Sequence, residues 1–226
     1  MKSLVVLFFT TIACLSQAKV IWNFLLGPLP KGGSVQIINV SPTESLLIDF
    51  KVALIAGIII ASPWIFLQIY SFIAPGLLKK EKSLILPLVF FSVLFLVIGA
   101  TFSFYIVIPT GLFFLESYGS GTAQQQWTQV NYGNFIVQLI LAFGIMFQLP
   151  VVSWFFARLN LISAKFLWSQ FRFAVLIIFI ISAMLTPPEV ISMVLLALPL
   201  ILLYLFSIGV VALTNPDSKK HEDPGL

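Results

Sequence analysis

The chain has 226 residues, 60% of them hydrophobic and only 9% charged, with a mean hydropathy of +1.09 and a formal net charge of +4. Soluble domains carry roughly 25% charged and 45–50% apolar residues, so this chain lacks the polar surface to coat a water-soluble globule and must be solvated by lipid. The single cysteine, Cys14, excludes an internal disulfide and any cysteine-rich metal site, and the single histidine, His221, lies in the charged tail Asp217–Asp223, where a solvated end is expected.

A spanning helix needs about 20 mostly apolar residues, because roughly 30 Å of hydrocarbon is crossed at 1.5 Å per residue. Charge-free runs of that length predict an all-α, polytopic membrane protein with six transmembrane helices. The first runs from Leu4 to Leu26, interrupted only by Lys19. Its opening, Lys2 followed by Leu4–Ala13 and Leu15-Ser16-Gln17-Ala18, also fits a signal peptide with its cleavage site. The loop Gly27–Glu44 then carries Pro28, a structural residue of an outer turn, with Pro30 and the Gly32–Gly33 pair.

The second helix is predicted at Val52–Phe72 and ends at a corner, Ser71-Phe72-Ile73-Ala74-Pro75-Gly76-Leu77-Leu78-Lys79-Lys80-Glu81-Lys82. Pro75-Gly76 stops the helix, and Glu81 is the lone acid among three lysines. Two readings stand for it: a solvated pair with a neighbouring lysine, contributing under about 1 kcal/mol, or an acidic contact for a basic peptide at the membrane surface. The third helix is predicted at Leu84–Ile108, and a glycine-, serine- and glutamine-rich segment, Ser117–Asn131, is expected to be solvated and mobile.

The fourth helix, Tyr132–Ala157, contains Gln148 and Pro150. A glutamine at that depth either bonds carbonyls freed by Pro150 or serves function directly. Asn160–Phe171 mixes Leu161, Ile162, Phe166, Leu167 and Trp168 with Lys165, an amphipathic stretch expected along the membrane surface. The fifth helix, Phe173–Thr186, is short, about 21 Å at helical rise, so the bilayer beside it should thin. Only Pro187, Pro188 and Glu189 separate it from the sixth, Val190–Val211. Residues 1–212 are thus read as one membrane domain and 213–226 as a cytoplasmic tail. Prolines 63, 87, 150 and 199 are expected to bend the bundle into a concave shape.

With the N-terminus inside, nine of the twelve basic residues (Lys2, Lys79, Lys80, Lys82, Arg158, Lys165, Arg172, Lys219 and Lys220) fall on the cytoplasmic side, and both termini are cytoplasmic. Topology therefore explains the positive charge better than a nucleic-acid face does. No His/carboxylate cluster, nucleophile elbow, phosphate loop or HExxH pattern is present. Neither an enzyme nor a cofactor is expected; the chemistry is recognition or passage. A secondary transporter for a small solute is the alternative, though no Asp, Glu or Arg lies within the predicted spans to serve it. A membrane scaffold is a third reading, in which Glu81 is dispensable.

Four segments carry a resemblance: Ser41-Pro42-Thr43-Glu44, Phe72-Ile73-Ala74-Pro75-Gly76-Leu77, Phe143-Gly144 to Phe147-Gln148-Leu149-Pro150, and Leu185-Thr186-Pro187-Pro188-Glu189-Val190-Ile191-Ser192. In order and spacing they resemble the TatC family from about Pro28 to Ile208. The resemblance implies a glove-shaped, six-helix receptor in the cytoplasmic membrane. It also implies partners: twin-arginine signal peptides of folded cargo, TatA- and TatB-type single-span proteins in an oligomeric complex, and lipid. Transport would draw on the proton-motive force. The family's acidic signal contact falls on Glu81, with Phe72 and Pro75 shaping the corner; its intramembrane polar position falls on Gln148; Glu189 and Ser192 match a partner-contacting region. A carboxylate can hold an arginine in a bidentate pair, which fits the role given to Glu81.

Two departures stand out. The family's Ser-Gln at the end of the Pro-Pro motif reads Ser192-Met193, and its N-terminal His-Leu-x-Glu-Leu-Arg segment is absent. Because spacing is kept from Pro28 onward, the expectation is that about twenty codons precede Met1, bearing a second signal-contacting acid; one carboxylate would otherwise leave the second arginine unpaired at a desolvated site, a cost of several tenths to a few kcal/mol.

Overall fold

A computed structural model describes residues 2–29, 35–77, 82–119, 125–186 and 190–214. Ten helices and two short strands are found among them. In chain order these are α1 (Lys2–Ser16), α2 (Ala18–Leu25), β1 (Val35–Ile38), α3 (Pro42–Ile73), α4 (Ile85–Phe102), α5 (Ile108–Gly119), β2 (Gln125–Thr128), α6 (Gln129–Met146), α7 (Leu149–Arg158), α8 (Ala164–Ser169), α9 (Phe171–Leu185) and α10 (Val190–Thr214). Glu81, Glu189, Lys79, Lys80 and the tail 215–226 lie outside the described residues.

Four stretches are long and apolar enough to cross a bilayer: Thr43–Gly76, Lys82–Phe114, Gln129–Arg158 and Val190–Thr214. Lipid is also the solvent the surface requires. Leu4, Phe8, Phe9, Phe90, Ile177 and Leu202 all stand exposed, an apolar exterior that water does not tolerate. The short α9 spans about 22 Å at helical rise.

The expected first span is not one helix. It bends by 76° between α1 and α2 at Gln17, with neither proline nor glycine at the break. Gln17 N donates to Cys14 O at 3.0 Å, closing α1 in a tight turn, and Gln17 O then accepts from Val20 N and Ile21 N to start α2. Tertiary packing holds the bend. Ala18, Trp22 and Leu25 bury one stripe of α2, Trp22 meets Tyr132 edge-on at 6.0 Å, and Tyr132 Oη donates to Leu25 O at 3.0 Å.

α3 begins ten residues before the Val52 expected from the charge boundary. Its start is set by Ser41, an N-cap whose Oγ accepts from Thr43 N at 3.4 Å, with Pro42 in the first turn. Glu44 reaches back to accept from Val40 N at 3.4 Å. The motif Ser41-Pro42-Thr43-Glu44 is therefore a helix start. Asp49 and Lys51, which precede the expected Val52 start, lie within α3.

Part of the segment expected to be mobile is ordered. β2 pairs with β1 in parallel, Ile37 opposite Trp127 and Ile38 opposite Thr128, and Thr128 then caps α6 by accepting from Asn131 N at 3.2 Å. The third span also runs past the expected Ile108. A π-turn at Ser103–Val107, closed by Ile108 N donating to Ser103 O, leads into α5 and Pro109. Pro87 interrupts nothing, because it occupies the first turn of α4, where no intrahelical donor is needed. Pro63 and Pro199 do lie inside α3 and α10.

Two cores result. The larger gathers Trp22, Ile48, Val52, Tyr132, Ile136, Phe143 and Leu200 around α6. The smaller, Tyr70, Leu88, Val89, Val151 and Phe155, joins the end of α3, the start of α4 and α7.

Candidate functional site

The end of α3 builds the corner. Ile73 closes the helix, and Ala74–Gly76 tighten into a single 3-10 turn, with Leu77 N donating to Ala74 O at 3.2 Å. Pro75 cannot supply the donor that would continue α3. Tyr70, one turn earlier, anchors the corner to α4 through a buried hydroxyl contact with Ser92 Oγ at 2.8 Å. Phe72 points the other way and is 85% exposed, and nothing lies within 4 Å of where a Gly76 side chain would begin. Phe72 and Pro75 thus share an open apolar surface at the end of a buried anchor. Lys82 follows at the start of the next turn.

Gln148 sits in the two-residue break between α6 and α7. Its backbone N donates to Ile145 O at 2.9 Å rather than to Gly144 O, which leaves the Gly144 carbonyl without its helical donor. Gln148 Nε2 supplies that donor at 3.4 Å and also donates to Ser92 O of α4 at 3.1 Å. Of the two readings of Gln148, the bonding of a freed carbonyl is seen, but the recipient is Gly144, freed by the tightened turn at Gln148 itself. Gln148 Oε1 is buried with no hydrogen-bond partner. Ser92, invisible as a functional residue in the sequence, therefore holds both pieces together: its side chain meets Tyr70 and its carbonyl meets Gln148.

Ser192 is buried in the first turn of α10, where it lines a cavity of about 170 Å³ with Thr110, Gly111, Phe135, Leu139 and Thr186. Met193 beside it is half-buried. Pro28 is half-buried in the turn after α2, which Gly27 N and Leu29 N close onto Phe24 O and Leu26 O. Phe72 and Pro75 both stand exposed at the corner; Gln148 joins the corner's anchor through Ser92; Ser192, Met193 and Pro28 are held by other elements. Among the described residues no group of three His, Cys, Asp or Glu could hold a metal ion.

The model of one protein family, Sec-independent protein translocase protein (TatC), matches residues 1–199. The chain belongs to the TatC family. A TatC of Helicobacter pylori strain 26695 is 41% identical over 187 residues, which is 83% of this chain and 74% of that one. A TatC of Campylobacter jejuni is 37% identical over 217 residues, 93% of this chain and 88% of its own. Among solved structures, the crystal structure of a twin arginine translocase receptor, TatC, superposes with a TM-score of 0.85 at 35% identity, covering 94% of each chain. As a TatC the chain is a multi-pass, nearly all-helical membrane component of a protein translocase.

Proposed function

We propose that this chain is the receptor subunit of a twin-arginine translocase, which binds the signal peptides of folded cargo and passes that cargo across the cytoplasmic membrane on the proton-motive force. The observation that carries the reading is the superposition over 94% of both chains on a twin arginine translocase receptor. Six spans, with the bent α1–α2 pair and the short α9 as the first and fifth, put both termini in the cytoplasm with the basic residues. The receptor works with TatA- and TatB-type single-span partners and needs no cofactor. Gln148 offers the solute-transporter alternative no more than one unpaired acceptor, because its amide nitrogen is committed to two main-chain carbonyls.

Signal recognition is assigned to the corner. Phe72 and Pro75 offer an apolar face at the membrane surface, and Glu81, a few residues on in sequence, supplies the carboxylate for one signal arginine. A charge-assisted pair at a partly desolvated surface contributes about 1.5–3 kcal/mol. Photo-crosslinking of a twin-arginine signal peptide should therefore fall roughly ten- to a hundred-fold in Glu81→Ala, and less in Glu81→Asp. Unchanged crosslinking and export in the alanine variant would remove Glu81 from the site.

A further inference from the structure

Between α4, α7 and α10 runs a groove of about 240 Å³ lined wholly by apolar side chains: Phe91, Phe95, Pro150, Val151, Trp154, Phe206 and Val210. Two ring pairs bracket it, Phe91 with Trp154 at 6.1 Å and, deeper, Phe95 with Phe206 at 6.5 Å. At its mouth stands Arg158, whose guanidinium lies 5.8 Å from the centre of the Trp154 ring and has no hydrogen-bond acceptor among the described residues. Arg158 is exposed in the last turn of α7, two turns beyond Pro150, so the groove descends about 12 Å from the cation into the membrane.

The geometry points to a binding site for one anionic phospholipid, with its phosphate on Arg158 and an acyl chain in the groove. Charge supports it. The sequence from Ser117 to Pro188 holds Arg158, Lys165 and Arg172 and no acid. The described acids, Glu44, Asp49 and Glu116, all lie near the β1–β2 end, opposite the end that carries Arg158. Basic pockets between spanning helices recruit anionic headgroups in this way, and the planar guanidinium, set over an aromatic wall, keeps its fork of donors for a phosphate. Size supports it too. A spanning helix about 10 Å across would need on the order of 900 Å³ over 12 Å of depth, more than the groove offers, whereas a flexible hydrocarbon chain fits it.

The test uses the full chain in a neutral detergent, stripped of lipid and offered dioleoyl phosphatidylglycerol against dioleoyl phosphatidylcholine, with retained lipid counted by native mass spectrometry. The chain should prefer phosphatidylglycerol by about fivefold or more. Arg158→Gln should bring the preference close to one while phosphatidylcholine is still held, and Arg158→Lys should keep part of it. Val210→Trp, which fills the groove, should reduce retention of both lipids. If that variant does not fold, a benzoylphenylalanine at the exposed Phe206 gives a second readout: an adduct with lipid supports the site. Preference unchanged in Arg158→Gln, undiminished retention in a folded Val210→Trp, or adducts with protein alone would overturn it.

Discussion

Replacing Gly99 by alanine should loosen the joint between the two halves of the molecule. A Cβ at Gly99 would sit 2.8 Å from Phe143 O and 2.9 Å from Phe147 Cβ, against the 3.4 Å of ordinary contact. The closest neighbour is main chain in a packed helix, so α4 and α6 must part by about 0.6 Å. That retreat also stretches the 3.1 Å hydrogen bond from Gln148 to Ser92 O beyond useful range. Overpacking costs about 1–3 kcal/mol, and an interhelical hydrogen bond within a bilayer contributes about 0.6–1.7 kcal/mol. The better helix propensity of alanine returns about 1 kcal/mol, leaving a net loss of about 1–3 kcal/mol. Gly144→Ala is the control, because its Cβ meets only Leu96 Cδ1 at 3.5 Å and the propensity gain should stand alone. Thermal unfolding in one detergent should place Gly99→Ala below the parent and Gly144→Ala at or above it. Equal stability of the two variants would refute the close approach of α4 to α6.

Tyr132→Phe removes the hydroxyl that meets Leu25 O and leaves that buried carbonyl unpaired, so α2 should loosen at a cost of about 1–3 kcal/mol; faster hydrogen exchange confined to Ala18–Leu25 is the expected signature, and unchanged protection there would count against it. The orientation is tested by cysteine accessibility in a Cys14→Ser background. A membrane-impermeant thiol reagent added outside intact cells should label Lys51→Cys and spare Phe72→Cys, and the reverse pattern would invert the topology. Ser41→Ala should cost about 0.5–2 kcal/mol through loss of the α3 cap, read in the same unfolding assay; a variant as stable as the parent would show that Pro42 alone sets the start.

Hydropathy locates the long spans because a run such as Leu84–Ile108 has to satisfy its backbone internally wherever it sits in lipid. It misplaces their ends. The start expected at Val52 follows the charges of Asp49 and Lys51, yet the cap at Ser41 sets the true start, since a helix emerging into water keeps its hydrogen bonds and can carry charge. The bend at Gln17 has no local signal at all; it is imposed by Trp22, Leu25 and Tyr132, residues more than a hundred positions apart. Parallel strands 35–38 and 125–128 are equally hidden, because four-residue segments pair only once the helices have brought them together. At the corner, Pro75-Gly76 was legible as a stop and Phe72 as its neighbour. The anchor Tyr70–Ser92 was not, since a serine in an apolar helix carries no sign of which partner it meets.

The β1–β2 ladder also sets an order of events during synthesis. β1 leads directly into α3, and β2 into α6, so their parallel pairing starts two same-direction helices from one level. When α3 has entered the membrane, β1 has no partner, and it gains one only after α4 and α5 have crossed and β2 has emerged about ninety residues later. Until then, in the proposed orientation, the segment Val35–Ile38 presents an open strand edge on the far side of the bilayer. At a few to some twenty residues per second of translation, that edge waits for several seconds or longer. The half-made protein is thus most open to mispairing, and to capture by a chaperone on that side, in the interval between α3 and α6.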